Sequence, residues 1–364
     1  MRVLQSIHLY TGHIDKIDSQ VGCDATFSER VQAMVSNGLN GPHILGPAAE
    51  QQSDLFLTSL ADVTMQRAWA REQGMANDLS PHHILLAQIE HFKPDILYTH
   101  GGLHYPDDVR AKLPGMVKGR MMWKAPPDFT PTIGGFQMAL NNFPDSFPKY
   151  EAMGIATGYF SPSYDTAMEG LSDNQDRPID VCFIGSYSRH HRRRAEMLEQ
   201  VAKLSERYNV RMALAFDRAA KLANKPFGII PPLSHYRAPA AVRKVAIAPQ
   251  FGRAMYELFS QSKIVINTAI DVAGQDRGNI RCFEALGCGA LMLSDSGRYP
   301  EGMVDGETML TYDRMEDIPA MVEQILNDEP RRQKIAAAGL ELMRTRYSKA
   351  ALWEQFKHNA ARIG

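Results

Sequence analysis

Seven residues separate Asp276 from Glu284, and that interval carries two guanidinium groups, Arg277 and Arg281, around Gly278 and Asn279. Side chains of these types at this spacing suit the recognition of a diphosphate by the cations and of hydroxyl groups by a carboxylate. Glu284 falls four residues after Ile280 and three before Gly287. That places it close to the packing face of a helix, where an ionised carboxylate is costly unless paired or hydrogen-bonded. Two kinds of partner are open to it. Ribose hydroxyls would donate to it, or Arg281, one turn earlier, would form an ordinary helix-surface ion pair worth about 0.3–0.5 kcal/mol.

The elements that must hold these groups flank them. Residues 263–267, Lys-Ile-Val-Ile-Asn, are a β-branched apolar run that reads as a strand buried on both faces. A polar connection over 268–277, containing Asp271, Gly274, Gln275 and Asp276, leads from it into a helix expected to begin near Gly278. The unpaired N–H groups and dipole of that helix favour an anion, and Arg277 and Arg281 add charge of the same sign. The combination reads as a nucleotide-sugar pocket.

The segment resembles the donor-binding region of GT-B glycosyltransferases of the retaining group called glycosyltransferases group 1, whose two acids are separated by seven residues. Asp276 stands where that family usually has Glu. Residues 283–290, Phe-Glu-Ala-Leu-Gly-Cys-Gly-Ala, are similar to its Glu-Ala-hydrophobic-small-Cys-Gly segment. Arg281-Cys282-Phe283-Glu284-Ala285, after a strand ending in Asn267, also resembles the spore-maturation (CgeB-like) branch. The likeness covers roughly residues 178–347; before that it is one of layout alone. It implies an α/β chain of GT-B type, with two Rossmann-like, doubly wound parallel-sheet domains facing a central cleft. It also implies a sugar moved from a nucleotide-diphosphate sugar to a glycan, lipid-linked or protein acceptor, without metal or other cofactor.

Length and composition agree. A chain of 364 residues suits two domains. With 40 basic and 41 acidic side chains it has no global field to recruit nucleic acid. The four cysteines, Cys23, Cys182, Cys282 and Cys288, form no metal-binding pattern and are expected to be reduced. With no cleavable leader pattern at Met1 and no apolar run of membrane-spanning length, a soluble cytoplasmic protein is expected, with peripheral membrane contact open to it.

Along the chain, strand and helix patterns alternate, which argues for parallel sheets covered on both faces. Strands are expected at 3–9, 95–99, 120–123, 136–141 and 155–159. Helices are expected at 28–36, 53–73, 83–92 and 146–153, and residues 11–15 read as the loop closing the first strand. The polar stretch 170–178 reads as a linker, giving an acceptor domain over 1–172 and a donor domain over 178–347. A terminal helix over 348–364 is placed to cross back to the first domain, as in GT-B enzymes.

Ligands in open α/β sheets collect at the carboxyl ends of the strands. Gly185 and Ser186, at one such end, either let backbone approach a phosphate or form a plain turn, and Arg189 is the nearest cation. Arg253 follows Gly252 in a stretch similar to the family's base-cupping segment. Asn267 either bonds the donor or caps its turn, and Asp295 and Ser296 line the cleft or cap a helix. Arg277, Arg281 and the Gly278 helix terminus would stabilise the departing nucleoside diphosphate. An inverting reaction needs a general base, for which His13, Asp15 and His100 are the candidates; the retaining resemblance needs none and leaves the histidines to contact sugar. A nucleotide-sugar epimerase and a non-catalytic nucleotide-sugar-binding protein are the alternative readings. A dinucleotide-dependent dehydrogenase is disfavoured, because no Gly-x-Gly-x-x-Gly follows residue 9 or 184.

Overall fold

The computed structural model describes residues 1–76, 78–101, 104–125, 135–188, 192–231, 233–269 and 274–363; Arg189 and Asp271 lie outside them. The chain forms two compact units, Met1–Ala167 with Thr345–Gly364, and Met168–Arg344.

The first unit opens with β1 (Val3–Ile7), α1 (Thr11–Val21), α2 (Phe27–Ser36) and the short α3 (Gly46–Ala49). It continues through β2 (Leu55–Thr58), α4 (Val63–Glu72), α5 (Pro81–Phe92), β3 (Ile96–His100) and α6 (Asp107–Met116). β4 (Gly119–Trp123), β5 (Met138–Asn141), α7 (Phe147–Glu151) and β6 (Ala156–Tyr159) complete the alternation. The strands are parallel in the order β2-β1-β3-β4-β5-β6. The order reverses between β1 and β3, and the crevice outside the carboxyl ends at such a reversal is where an open sheet takes ligands.

Two segments correct the sequence reading. Residues 11–15 are not a loop but the start of α1, because His13 and Ile17, four apart, both turn inward. Gly12 falls in the first turn, whose N–H groups have no helical partner in any case. Residues 53–73 are not one helix. Leu55 to Thr58 pair in register with Val3 to Ser6, and Asp62 starts α4 afresh by accepting from the Met65 N–H at 2.9 Å. The same carboxylate accepts from Nε and Nη2 of the fully buried Arg30 at 3.2 and 2.8 Å, tying α2 to the head of α4.

The second unit begins with β7 (Ile179–Tyr187), α8 (Arg192–Lys203), β8 (Val210–Phe216), α9 (Arg218–Ala223), α10 (Ala240–Val245) and β9 (Ala246–Ile247). α11 (Arg253–Ser260), β10 (Ser262–Ile266), α12 (Ile280–Gly287), β11 (Leu291–Asp295), β12 (Leu310–Tyr312), α13 (Ile318–Leu326) and α14 (Glu329–Thr345) follow. Its parallel order, β12-β11-β10-β7-β8-β9, reverses between β10 and β7. β10 and β11 are buried on both faces, as their β-branched and apolar sequences require. The polar segment 170–178 is fastened to this unit: the Ser172 hydroxyl donates to Gly287 O at 2.8 Å, and Arg177 Nη1 donates to Ser262 O at 2.9 Å.

α15 (Lys349–Ala360) belongs to the first unit. Ser348 caps it by accepting from Ala351 N at 3.2 Å. Lys349, 9% exposed, donates from Nζ to Gly41 O at 2.5 Å and Ile44 O at 2.7 Å. Phe356 is fully buried, with its ring centroid 5.0 Å from that of Tyr98 on β3. No helix among the described residues is long and apolar enough to cross a membrane.

Candidate functional site

The site of the second unit is built where β10 and β11 end and α12 begins. Gly278 has φ of 104°, a conformation that no α-helix contains and that side-chain-bearing residues rarely adopt. α12 therefore starts two residues later than expected, at Ile280, with Asn279 as its N-cap in extended geometry. Asn279 does not cap the helix with its side chain; its Nδ2 donates instead to Asn267 Oδ1 at 3.2 Å. The first turn of α12 thus keeps N–H groups that no cap side chain satisfies, the property that makes a helix start hospitable to anions.

Asn267 is the knot of this region. It is 6% exposed, and its Nδ2 reaches Ser294 Oγ at 3.1 Å. Its N–H donates to Leu293 O at 2.9 Å, while the Tyr312 hydroxyl donates to its carbonyl at 3.3 Å. One amide side chain and its backbone join the ends of β10, β11 and β12 to α12. Both ends of the Asn267 amide are engaged inside the protein, which makes it a positioning group for the loop.

Among the described residues, three guanidinium–carboxylate pairs stand at this site. Arg281 Nη1 bonds Glu284 Oε2 one turn along α12 and also lies 2.7 Å from Met255 Sδ on α11. Glu284 is only 2% exposed, so this is not the screened surface pair considered from the sequence. Asp276, 1% exposed, accepts from Nε of Arg298 at 2.6 Å, and Arg298 Nη2 lies 2.5 Å from the same oxygen. Arg277 Nε lies 2.7 Å from Asp295 Oδ2, an ion pair by distance in which the N–H points off the contact, and its Nη1 donates to Gly274 O at 2.8 Å. Asp295 also accepts from Ala269 N at 2.8 Å, fixing the start of the β10 loop.

Backbone bonds stitch the two loops that carry these pairs. Arg277 N donates to Arg298 O at 2.8 Å, and Arg298 N donates to Gln275 O at 2.7 Å. Gly297 permits the approach, since a Cβ there would come within 2.7 Å of Arg277 Cγ and 2.8 Å of Gln275 O. Arg298 and Gly297 were not among the sequence candidates. The only signal for them is a glycine followed by a cation just beyond an apolar strand.

Other expected residues are placed differently. Gly185 and Ser186 lie within β7, paired with Leu214 and Ala215, because that strand runs on to Tyr187. The Ser186 hydroxyl accepts from Arg194 Nη1 at 3.2 Å. Arg253 opens α11 and sits 3.3 Å from Glu257 in an exposed pair one turn long.

In the first unit, His13 is 6% exposed on α1 while Asp15 is exposed, so the helix turns the two apart. His100 closes β3 beside the sheet reversal. Its ring stacks on His43 at 4.0 Å and lies 5.2 Å from Trp123, and its carbonyl accepts from His8 N at 2.9 Å. Burial, with His8 nearby, lowers the His100 pKa to about 3, and burial holds His43 well below its ordinary value. A histidine so shifted is neutral near pH 7 but a weak proton acceptor, which disfavours His100 as a general base. No group of three or more His, Cys, Asp or Glu side chains among the described residues is arranged to hold a metal ion.

Residues 189–358 match the family described as glycosyl transferase-like. No curated protein matches the sequence. Among solved structures, the chain is similar to Alr3699/HepE of Anabaena in complex with UDP and glucose, at 10% identity and a TM-score of 0.59 over 100% of both chains. It is similar to a glycosyltransferase from Rickettsia africae ESF-5 at 11% identity and a TM-score of 0.57, over 100% of this chain and 98% of that one. Against the GtfA/B complex it spans 61% of the matched chain with 78% of its own, at 9% identity and a TM-score of 0.45. Two parallel six-stranded sheets with surrounding helices constitute the GT-B glycosyltransferase fold, as the sequence resemblance implied.

Proposed function

We propose that this protein is a glycosyltransferase of the group 1 type, CgeB-like in its motif, that transfers a hexosyl group from a nucleotide-diphosphate sugar. The observation that carries this reading is the convergence of Arg277, Arg281 and the buried Glu284 on the start of α12, at the carboxyl end of β10. Guanidinium groups and helix N–H donors stabilise a diphosphate as it departs, and a carboxylate beside them accepts from the hydroxyls of a ribose. That Alr3699/HepE was solved with UDP and glucose supports a donor of this chemical class.

In this reading the second unit, with the terminal helix excluded, is the donor domain and the first is the acceptor domain. The acceptor is a glycan, a lipid-linked sugar or a protein, reached from the cytoplasm with at most peripheral membrane contact. The reaction is metal-independent and retains the anomeric configuration, which fits a site where His100 is too weakly basic to take a proton. His13 and His100 then contact sugar, and Gly185, Ser186 and Arg253 border the donor.

A thermal-shift screen of UDP, GDP, dTDP and CMP and their sugars tests the proposal, since a ligand of the native state must stabilise it. At least one should raise the melting temperature, and Glu284→Gln should abolish the rise. Failure of every nucleotide to do so would refute the reading.

A further inference from the structure

The chain as a whole is nearly neutral, with 40 basic and 41 acidic side chains, but its charge is unevenly spread. Residues 207–256 hold nine Lys and Arg against one acid, Asp217. That carboxylate starts α9 by accepting from Ala220 N at 2.7 Å. Along α9 and just past it, Arg218, Lys221, Leu222 and Lys225 recur at helical spacing and are exposed, while Ala220 and Ala223 are buried on the other side. The chain then folds back on the helix end. Gly228 N donates to Lys225 O at 2.9 Å, and a Cβ at Gly228 would meet Ala223 O at 1.8 Å. Arg237 Nη1 donates to Lys225 O at 3.0 Å and to Ala223 O at 3.3 Å, setting a fourth cation at the carboxyl end of α9.

Two features set this surface apart from an ordinary solvated face. Arg207 pairs with Glu323 and Arg253 with Glu257, but among the described residues no carboxylate forms an ion pair with Arg218, Lys221 or Lys225. Beside these cations stand Leu222, 43% exposed, and Ile230, 63% exposed, the most exposed large apolar side chain among the described residues. Water offers such side chains no favourable contact.

We propose that the surface formed by α9 and the turn after it docks on an anionic lipid bilayer. Arg218, Lys221, Lys225 and Arg237 meet headgroup phosphates, and Leu222 and Ile230 enter the boundary of the acyl chains. The long lysine stems let the ammonium groups stay at headgroup level while the apolar side chains go deeper. A nucleic acid would supply phosphates too, but its bases are held by stacking on rings, and Leu222 and Ile230 are aliphatic. The surface shares no residue with the charged cluster at α12 and stands independently of the nucleotide-sugar reading.

Co-sedimentation of the full chain with vesicles tests the proposal. Vesicles of phosphatidylcholine with about one-third phosphatidylglycerol should retain the protein, pure phosphatidylcholine should not, and about 0.5 M salt should release it. Lys221→Gln with Lys225→Gln should weaken retention about 30-fold. Leu222→Ser with Ile230→Ser, which keeps every charge, should weaken it about five-fold. All four positions are exposed, so both variants should keep the wild-type circular-dichroism denaturation curve.

Retention by the anionic vesicles that both pairs of substitutions weaken would establish the docking surface. Absence of wild-type retention would overturn it, as would retention that either pair leaves unchanged. Binding of a single-stranded RNA oligonucleotide in place of the vesicles, lost with the two lysines, would make the patch a nucleic-acid surface and overturn the proposal as well.

Discussion

The two sheets have the same size and the same parallel build, yet the carboxyl ends of their strands carry opposite chemistry. Around β10 and β11 the described residues of the second unit gather three cations and three anions in ion pairs. Around β1, β3 and β4 the first unit gathers uncharged rings, His8, His43, His100 and Trp123, in surroundings that oppose protonation. One architecture thus supports a region where charge is stabilised by its neighbours and another where charge is penalised. The difference lies in which side chains the strand-end loops supply, because the sheets beneath them are alike.

The tryptophans allow the two regions to be followed separately. Trp69, Trp123 and Trp353, the three that the chain contains, all fall in the first unit. The largest expected effect is on the other unit. Arg281→Ala leaves the buried Glu284 without its guanidinium and should cost about 2–4 kcal/mol. The loss should appear in a circular-dichroism denaturation curve and not in tryptophan emission. An unchanged curve would mean that the charged region does not depend on its pairing.

Acid should single out the first unit. The His100 pKa lies below its ordinary 6.5 in the folded chain, so the unfolded chain takes up protons first as the pH falls. Stability is then complete above pH 6.5 and is lost as the pH drops towards 3, by about 2–3 kcal/mol at pH 4. The tryptophan-detected transition should follow this slope, and His100→Gln should reduce it, leaving the part that the buried His43 contributes. A slope unchanged in that variant would assign the acid sensitivity elsewhere.

Smaller effects sharpen the contrast within the second unit. Gly278→Ala forces a side chain into positive φ and should cost about 1–2 kcal/mol, measured by the same denaturation curve. Arg253→Ala removes an exposed pair one turn long and should change stability by less than about 0.5 kcal/mol. If the Arg253 variant also weakens nucleotide binding in a thermal-shift assay, the start of α11 borders the donor as proposed.

What could be read in advance depended on how local each arrangement is. The charged cluster at α12 was visible because Asp276, Arg277, Arg281 and Glu284 lie within nine consecutive residues, one loop and one turn. Arg298 was not, because its pair with Asp276 closes across 22 positions and depends on the approach of two loops at Gly297. The alternation of strands and helices gave both doubly wound sheets, while β2 was lost in a stretch of helical spacing that only pairing with β1 overrides. Gly12 disguised the start of α1, and Gly278 disguised that of α12, since a glycine alone does not say whether it begins, interrupts or precedes a helix. The ring cluster of the first unit joins residues 43, 100 and 123, a grouping that no periodicity encodes.

The return of α15 to the first unit has a consequence for synthesis. β1 emerges from the ribosome first, but Lys349 and Phe356, which bind Gly41 and pack on Tyr98, emerge only after the whole of the second unit. Domains generally fold as units during translation. Here the first sheet must wait, with part of its core exposed, until the last helix has been made. The second unit has all its parts sooner, so the half of the protein that begins first is completed last.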